Sequence, residues 1–553
     1  MATSQTLPPT YYLDYFLYLI DFVKQRYENF LDKPSQNFEK VFRALSRNAQ
    51  LMYVRIANRT PIFFTVESLL KYKEIDSPED AIEELCHYKL LDRVKPLSIS
   101  DELTRVEALS SLTKKQLGQL AACLPGGFCQ KARKVDLIKL LNQYRNNSFS
   151  DVELIWQISE REVAFWQFLF FGSLAKDNMA QFVIDALGNA KFYRWQEKDF
   201  SPVAKSAQEA QDHFAAHWHY YIFKKHLRYG SEPCKVFAWF EQLPKPLFAF
   251  AIFGKLCLRL GKWLEKNQLL QEALTVYRHT LQPPSRKQQV RILSRQGNIS
   301  EALATCWHIV EHPNSVEEEI FARDFLRRHM QKDNDVRNVL TDYLLKAPTV
   351  SLPQQYKTCV EQGVIEYYRA RGFQAAHTEN YIWRGIFGLV FWQVIYQNPL
   401  QVHHPLQRYP AELFDENFYL LRAQEIQEQL NRFEDTKDSW QYVQEIYYQY
   451  KGIANPFVGW HPNFLPLAEV YFASLQWKQI KAVLLQMARC PKENSCGFPD
   501  LTVWNEKEFF FVEIKSTTDQ LSAQQYFWLE FFAQLQVPSQ ILRVHCTESL
   551  RLQ

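Results

Sequence analysis

Asp500, Glu513 and Lys515 are spaced so that a β-hairpin would bring their side chains together. The runs 501–504 and 509–514 are rich in β-forming residues, and the polar stretch between them predicts a turn of two or four residues. Either turn gives the same register, in which Asp500 lies directly across from Glu513. Because such cross-strand partners have Cβ atoms about 4.5–5.5 Å apart, the segment predicts a pair of adjacent carboxylates.

The predicted register also separates a polar face from an apolar one. It puts Lys515 beside Glu513, since side chains alternate along a strand. Two carboxylates held together over a buried sheet repel each other unless a cation neutralises them, and hard oxygen ligands suit Mg²⁺ or Mn²⁺. A neighbouring ammonium suits phosphate chemistry. The residues alone also allow a surface salt-bridge trio. The opposite face is apolar and predicts core: Leu501, Val503, Phe510, Val512 and Ile514.

The sequence that must position this hairpin is mostly helical. In residues 1–100, Tyr15, Leu19, Phe22 and Tyr27 recur at spacings of three to five, which predicts helices that form a scaffold. Downstream of the hairpin, a helix is predicted from residue 523 to 535.

The region from about 150 to 360 is also helical in pattern. The tripeptide Glu-Ala-Leu occurs at 272–274 and again at 301–303, 29 positions later. Such repetition is typical of tetratricopeptide-like helical hairpins that stack side by side.

Basic residues are concentrated between residues 114 and 146, where two short helices are predicted around Pro125-Gly126-Gly127. The local charge is +6, because Asp136 opposes seven basic residues: Lys114, Lys115, Lys131, Arg133, Lys134, Lys139 and Arg145. Such a patch can contact DNA phosphates. A solvated basic hairpin explains the same residues.

Length and composition exclude several classes of protein. The chain has 553 residues, against roughly 100–200 for a typical domain. Its 47% hydrophobic residues, with 16 Gly and 25 Pro, are typical of an ordered globular protein. No signal-peptide pattern opens the chain, no apolar run reaches the ~20 residues that span a bilayer, and the ten cysteines include no Cys-x-x-Cys pair. We expect an intracellular, multidomain protein with reduced thiols and no membrane segment.

Three segments resemble the modules of one nuclease family. Pro499-Asp500 followed by Glu513-Ile514-Lys515 matches the Pro-Asp…(Asp/Glu)-x-Lys motif of restriction-endonuclease-like nucleases and resembles their VRR-NUC branch. The Gly-Phe-Pro-Asp-Leu-Thr-Val-Trp wording and the following Asp519-Gln-Leu-Ser-x-x-Gln525 resemble the Fanconi-anaemia-associated nuclease family. Residues 112–146 resemble the SAP motif, a small DNA-binding module. With the tetratricopeptide-like helices between them, the order is similar to that of the Fanconi-anaemia-associated nuclease family.

The resemblance implies a multidomain α + α/β fold, with mostly helical N-terminal modules and a restriction-endonuclease-like α/β nuclease core at the C-terminus. We predict four parts: an N-terminal helical domain (1–100), a SAP-like DNA-binding motif (101–150), a tetratricopeptide-like helical domain (151–360) and a VRR-NUC nuclease domain (361–553).

The resemblance also adds residues to the site. Residues 377–392 match the family's wording around a further glutamate, so Glu379 is predicted as a third carboxylate; without the resemblance it is an ordinary acid at a helix start. The family implies that the Ile514 carbonyl completes the metal shell. Gln525 is included because the family has glutamine there, although Ser522-x-x-Gln525 also fits a capping box.

The predicted site therefore has three sets of residues. The catalytic residues are Glu379, Asp500, Glu513, Lys515 and Gln525. The ligands of Mg²⁺ or Mn²⁺ are Glu379, Asp500, Glu513 and Ile514. The DNA-binding residues are Lys114, Lys115, Lys131, Arg133, Lys134 and Lys492; the last stands where the family tends to place a basic residue, and an exposed lysine is its alternative explanation.

The function implied by the resemblance is that of a structure-specific, metal-dependent DNA nuclease. It would have 5′-flap endonuclease and 5′-to-3′ exonuclease activity on branched or flapped double-stranded DNA with a 5′ phosphate, in interstrand crosslink repair. Three alternatives remain: a non-catalytic branched-DNA-binding adaptor, a tetratricopeptide-like protein-interaction scaffold, and a four-way-junction resolvase. The expected location is cytoplasmic and nucleoid-associated in a bacterium, or nuclear in a eukaryote.

Overall fold

The structure is a computed structural model, and it describes residues 7–122, 124, 132–144, 152–175, 178–187, 191–330 and 338–547. The chain divides into two compact units: unit one comprises 1–189 and 202–280, and unit two comprises 190–201 and 281–553. The four-part division of the sequence analysis stays a prediction. Within the described ranges, none of the helices has both the length and the apolar character needed to cross a membrane.

Unit one is mainly helical. Its helices are α1 (Tyr11–Tyr27), α2 (Lys33–Ala44), α3 (Arg47–Ala57), α4 (Val66–Leu69), α5 (Pro78–His87), α6 (Glu102–Ser111), α7 (Lys114–Ala122), α8 (Lys134–Gln143), α9 (Glu160–Phe171), α10 (Ala180–Ala186), α11 (Ala207–Tyr229), α12 (Pro233–Glu241), α13 (Phe250–Lys266) and α14 (Leu270–Tyr277).

A small antiparallel sheet interrupts the helices of unit one. It consists of β1 (Phe63–Phe64), β2 (Leu91–Val94) and β3 (Leu154–Gln157), in the order β1-β3-β2. The sequence analysis predicts only helices in residues 1–100. It misses β1 and β2 because each is very short and pairs with a strand about 60 or more residues further along the chain.

The two short helices of the basic segment form as predicted. They are α7 and α8, and Leu117, Leu137 and Leu141 pack into one core with residues of α6. In the next region, α13 packs on α14 within unit one. Within unit two, three helices pack in succession: α15 (Ser285–Arg295), α16 (Ile299–Glu311) and α17 (Val316–Met330). This succession of neighbours agrees with the predicted helical hairpins.

Unit two contains the remaining helices and a larger sheet. Its helices are α15 (Ser285–Arg295), α16 (Ile299–Glu311), α17 (Val316–Met330), α18 (Val339–Leu345), α19 (Val360–Arg369), α20 (Tyr381–Val390), α21 (Trp392–Tyr396), α22 (Phe418–Leu421), α23 (Ala423–Asn431), α24 (Thr436–Tyr450), α25 (Phe464–Ser474), α26 (Trp477–Arg489), α27 (Pro491–Asn494) and α28 (Ala523–Gln534). Its strands are β4 (Thr349–Pro353), β5 (Gln374–His377), β6 (Leu501–Trp504), β7 (Phe509–Ser516) and β8 (Ser539–Thr547).

The five-stranded sheet of unit two is mixed, in the order β4-β8-β7-β6-β5. The pairs β4–β8 and β8–β7 are parallel, whereas β7–β6 and β6–β5 are antiparallel. This α/β unit, with the helices of the rest of the chain, confirms the predicted fold class. The hairpin β6–β7 lies at the centre of the sheet.

Both faces of the β6–β7 hairpin are covered. One face packs with α19 in an apolar core that contains Leu501, Val503, Val512 and Ile514, as predicted. On the other face, the Phe511 side chain packs in a large aromatic core with Trp383 of α20 and Phe532 of α28. Any charged group on this second face is therefore surrounded by protein on most sides.

Helix α20 packs unusually close to α25 because Gly385 has no side chain. A Cβ at this position would overlap the ring of Phe464, which is fully buried in the same core. The close approach fixes the start of α20, the helix that follows Glu379.

We predict that Gly385→Ala destabilises the protein although alanine favours helices over glycine by about 1 kcal/mol. Overpacking a rigid core costs about 1–3 kcal/mol, so denaturant unfolding should show a net loss. The double variant Gly385→Ala/Phe464→Leu should recover part of that loss. Simple additivity of the two single changes would contradict this account.

Candidate active site

The segment 497–500 is held against α20 and α28 by a glycine and an aromatic side chain. Gly497 has a φ of +83°, and a Cβ there would lie 2.7 Å from the Cγ atom of Gln524. Phe498 stacks on Trp528 with ring centroids 4.2 Å apart, and on Trp383 at 5.8 Å. These contacts position Asp500 at the start of β6.

The β6–β7 hairpin has the predicted register. Trp504 pairs with Phe509 and Leu501 with Val512. The turn is closed by Asn505, whose N–H donates to the Glu508 carbonyl at 2.9 Å and whose Oδ1 accepts from the backbone N–H groups of Lys507 and Glu508, further along the turn. The next pair beyond Leu501 and Val512 is therefore Asp500 opposite Glu513.

Asp500 connects three segments of the chain. Its backbone carbonyl accepts hydrogen bonds from the N–H groups of Thr378 at 2.9 Å and Glu379 at 3.0 Å. Its carboxylate Oδ2 accepts from the Ile514 N–H at 2.7 Å. One residue thus aligns the β5–α20 junction, the start of β6 and the end of β7.

Glu513 and Lys515 form a buried ion pair on the same face. The Lys515 Nζ lies 2.9 Å from Glu513 Oε1 and also donates to Gln525 Oε1 at 2.9 Å. Glu513 is 1% exposed and Lys515 7%. The second carboxylate oxygen, Glu513 Oε2, is buried and has no hydrogen-bond partner among the described residues. The surface salt-bridge explanation is therefore wrong for this pair.

Burial makes both carboxylates weaker acids. Desolvation raises the pKa of Asp500 to about 6, although the Ile514 N–H and the Lys515 charge oppose that rise. Desolvation, with a further contribution from the Asp500 charge, raises the pKa of Glu513 to about 8. A pair of carboxylates held in this state is stabilised by a bound cation.

Three buried hydroxyl groups next to the site form a hydrogen-bond network. Thr502 Oγ1 lies 2.8 Å from both Thr378 Oγ1 and the Tyr471 hydroxyl, and all three residues are about 1% exposed. The network ties β6 to the β5–α20 junction and to α25. It was not predicted, since no local pattern connects these three positions.

Glu379 lies at the edge of the site. Its backbone is hydrogen-bonded to Asp500, and its φ of +29° is in the left-handed region. Its half-exposed carboxylate accepts from Asn380 Nδ2 at 3.0 Å and lies 3.9 Å from His377 Nε2. Within the described residues, no three His, Cys, Asp or Glu side chains are close enough to hold a metal together. The role of Glu379 as a third ligand stays a prediction.

The Ile514 carbonyl points toward the Asp500 edge of β7, because the N–H and C=O of one strand residue point to the same side. The donors available to a metal are thus carboxylate oxygens of Asp500 and Glu513 and this carbonyl. They are hard oxygen ligands, and no other described residue is a hydrogen-bond partner of Glu513 Oε2. The set fits Mg²⁺ or Mn²⁺.

Gln525 has both of the roles considered from the sequence. Its side chain accepts from the Ser522 N–H at 3.0 Å while Ser522 Oγ accepts from the Gln525 N–H, which is the predicted capping box of α28. The same Oε1 atom accepts from Lys515. The cap therefore also fixes the position of the lysine ammonium.

The predicted DNA-binding residues lie in two places. In unit one, Lys114 and Lys115 are exposed at the start of α7, while Arg133 pairs with Asp136 and Lys134 donates to the Ser110 carbonyl at 2.8 Å. In unit two, the exposed Lys492 lies in α27. Lys131 lies outside the described residues. The predicted DNA-binding residues that the structure describes therefore belong to two different units.

Two sequence models of known domains match this chain. Residues 10–92 match the "FAN1, HTH domain" and residues 435–546 match the "VRR-NUC domain". The Fanconi-associated nuclease 1 homolog of Pseudomonas aeruginosa is 25% identical over 97% of this chain and 96% of its own length. These matches confirm the predicted resemblance to the Fanconi-associated nuclease family. Glu379 lies outside the two matched segments of this chain.

Other relatives share only part of the chain. The Fanconi-associated nuclease 1 homolog of Arabidopsis thaliana is 32% identical, over 31% of this chain and 20% of its own length. The homolog of Schizosaccharomyces pombe is 27% identical, over 34% of this chain and 27% of its own length. Crystal structures of paFAN1 bound to 5′ flap DNA with a gap, with flaps of two nucleotides and one, superpose with TM-scores of 0.80 and 0.81. Each is 23% identical and covers 98% of this chain and 100% of its own.

The helix-turn-helix segment was missed by the sequence analysis, which interpreted residues 1–100 as a scaffold. In the structure, α2 and α3 are separated only by Leu45 and Ser46. Asp32 caps α2 and Ser46 caps α3, each accepting a backbone N–H three residues ahead. Two capped helices joined by a two-residue connection were the available signal.

We predict that the stability of the protein in chelator falls as the pH rises. Between the ordinary glutamate pKa and about 8, the folded state binds more protons than the unfolded state because folding raises the pKa of Glu513. The slope should approach about 1.4 kcal/mol per pH unit.

Thermal unfolding between pH 5.5 and 8 measures this slope, and Glu513→Gln should flatten it. The control is Glu506→Gln, in the exposed turn of the same hairpin. Equal slopes in the wild type and Glu513→Gln would refute the assignment.

Proposed function

We propose that this chain is a metal-dependent, structure-specific DNA nuclease with 5′-flap endonuclease and 5′-to-3′ exonuclease activity. The observation that carries the proposal is the buried cluster of Asp500, Glu513 and Lys515, in which two carboxylates face each other and Glu513 Oε2 has no partner among the residues that the structure describes. A structural ion pair would not need the second carboxylate. The resemblance to a nuclease family supports the same chemistry.

Asp500, Glu513 and the Ile514 carbonyl would hold Mg²⁺ or Mn²⁺, joined by Glu379 after rotation of its half-exposed side chain. When bound, such an ion lowers the pKa of a coordinated water and neutralises charge on the phosphate. The ion would also favour the charged form of both carboxylates and so offset the cost of burying them.

Lys515 is the group of this chain that would act on the phosphate or the water. Its ammonium is held by Glu513 and Gln525, so two of its three N–H donors are engaged and the third is available. It would orient the attacking water or neutralise the phosphate. The water oxygen bonds to phosphorus as the bond from phosphorus to the leaving oxygen breaks.

The proposed substrate is branched or flapped double-stranded DNA. The relative paFAN1, which has the same fold, was crystallised with 5′ flap DNA. The exposed Lys114 and Lys115 of α7, in unit one, would contact phosphates of the DNA duplex. Such contacts give an affinity that depends on salt and does not depend on base sequence. Processing of interstrand crosslinks is the proposed role, and it requires a location with the chromosome: the cytoplasm of a bacterium or the nucleus of a eukaryote.

A cavity of about 680 Å³ in unit two is the proposed pocket for the 5′ phosphate. Lys287, Arg291 and Lys492 line it, and it extends to Gln524, the neighbour of Gln525. Lys287 pairs with Glu317, whereas Arg291 and Lys492 are exposed and form no salt bridge with a described carboxylate. These two cations can bind a terminal phosphate.

We predict that the wild type cuts a labelled, 5′-phosphorylated flap with Mg²⁺ or Mn²⁺ and not with chelator. Asp500→Ala should reduce cleavage by more than about 100-fold, since even outer-shell changes around metal ligands cost about 10–100-fold. Glu506→Gln should cut like the wild type. If the wild type binds the flap and cuts it with neither metal, the chain is an adaptor and the proposal fails.

We predict that the wild type prefers a flap with a 5′ phosphate to one with a 5′ hydroxyl. Arg291→Ala combined with Lys492→Ala should reduce the preference by at least about tenfold, because even one charge-assisted hydrogen bond contributes about 1.5–3 kcal/mol. Rates on the two substrates measure it. Lys478→Ala, an exposed lysine of α26, is the control, and an unchanged preference in the double variant would place the phosphate elsewhere.

A further inference from the structure

A second cavity in unit two, of about 430 Å³, borders the carboxylate cluster and has no role in the function proposed above. One wall is the β5–α20 junction, from His377 to Tyr381, with Arg384 one turn into the helix. The other wall is the backbone of 456–459. Because Glu379 is part of the lining, whatever occupies this cavity lies next to the metal ligands.

Arg384 is held in place within this cavity. Its Nη2 donates to the Pro456 carbonyl at 2.7 Å, and its guanidinium carbon lies 5.9 Å from the ring centroid of Phe457. The side chain is half-buried. Because a guanidinium has five N–H donors in a planar fork, this single bond fixes its orientation and leaves most donors for a ligand.

The charges in the lining favour an anion. Arg384 is the permanent cation of the lining and Glu379 is its carboxylate, with the rings of Tyr381 and Phe457 as apolar surface. Within the described residues Arg384 forms no salt bridge, so no carboxylate neutralises its charge in this partly desolvated place. A planar bidentate donor beside aromatic surface suits a phosphodiester and the sugar attached to it.

The position of the cavity follows from a continuous series of contacts. Glu379 bonds to Asp500, Asp500 to Ile514, and the neighbouring Lys515 to Gln525. Gln525 follows Gln524, which lines the proposed 5′-phosphate cavity together with Lys492. The two cavities share no lining residue, and this series of contacts joins them through the carboxylate cluster.

We propose that Arg384 and this cavity bind the DNA phosphodiester adjacent to the scissile one, at a place distinct from the 5′-phosphate cavity. The inference rests on the proposed nuclease function and deepens it. A strand that crosses the carboxylates is then held at the cut and at the neighbouring phosphate. Arg384 acts as a substrate-binding residue that fixes which linkage is presented to the metal ligands.

The test uses the full chain and flaps that carry one neutral methylphosphonate linkage at successive positions of either strand. Values of kcat/KM are measured for the wild type, Arg384→Ala and Arg384→Lys. Arg371→Ala is the matched control, because Arg371 also donates to one backbone carbonyl and lies over one ring, that of Tyr367, away from the cavity.

The wild type should lose about tenfold or more when the linkage next to the incision site of the cut strand is neutral. Arg384→Ala should lose a similar factor on ordinary DNA and nothing further at that linkage. Arg384→Lys should be intermediate, and Arg371→Ala should behave like the wild type at every position.

Two results would overturn the inference while the nuclease function stands. One is an Arg384→Ala enzyme that cuts and keeps the full sensitivity of the wild type at that linkage. The other is a loss of sensitivity on the uncut strand only. If no protein cuts any flap with either metal, the proposed function itself has failed. If Arg384→Ala does not fold, Arg384→Lys decides by the same comparison.

Discussion

Three hydrogen bonds at Asp500 determine the geometry of the site. Its carbonyl accepts two N–H groups from the β5–α20 junction, and its carboxylate accepts one from β7. Asp500 lies more than 100 positions from the β5–α20 junction in the chain, so local preference cannot bring these two segments together. The sheet provides the frame, and Asp500 sets where α20 begins and where β7 passes the end of β6.

The electrostatics of the site follow from covering both faces of a central hairpin. The face with Glu513 is packed by aromatic residues of α20, α25 and α28, so its charges have little water around them. Lys515 offsets one carboxylate and cannot offset two. The folded chain therefore carries an unfavourable interaction between Asp500 and Glu513, which a bound cation would remove. Stability is reduced at the place where the chemistry is proposed.

The register of the hairpin could be predicted from the sequence because a two-residue and a four-residue turn pair the same residues. Side chains alternate on a strand, so the identity of one pair, Trp504 with Phe509, fixed the facing of every other residue. The dual contacts of Gln525 were partly predictable, since the capping box is local and the bond to Lys515 is not. The hydroxyl network of Thr378, Thr502 and Tyr471 and the exposed rotamer of Glu379 depend on tertiary packing. The strands of unit one were missed for the same reason, because their pairing is non-local.

The turn at Asn505 lies at the opposite end of the hairpin from the carboxylates, four residues along β6. Its hydrogen bonds are internal, and its tip is exposed. Insertion of an even number of residues there would leave the face with the carboxylates unchanged, whereas a one-residue slip of the register would turn Glu513 toward the apolar core. The turn is accordingly a tolerant attachment point for a fluorophore or an affinity handle, and one in which length matters more than sequence.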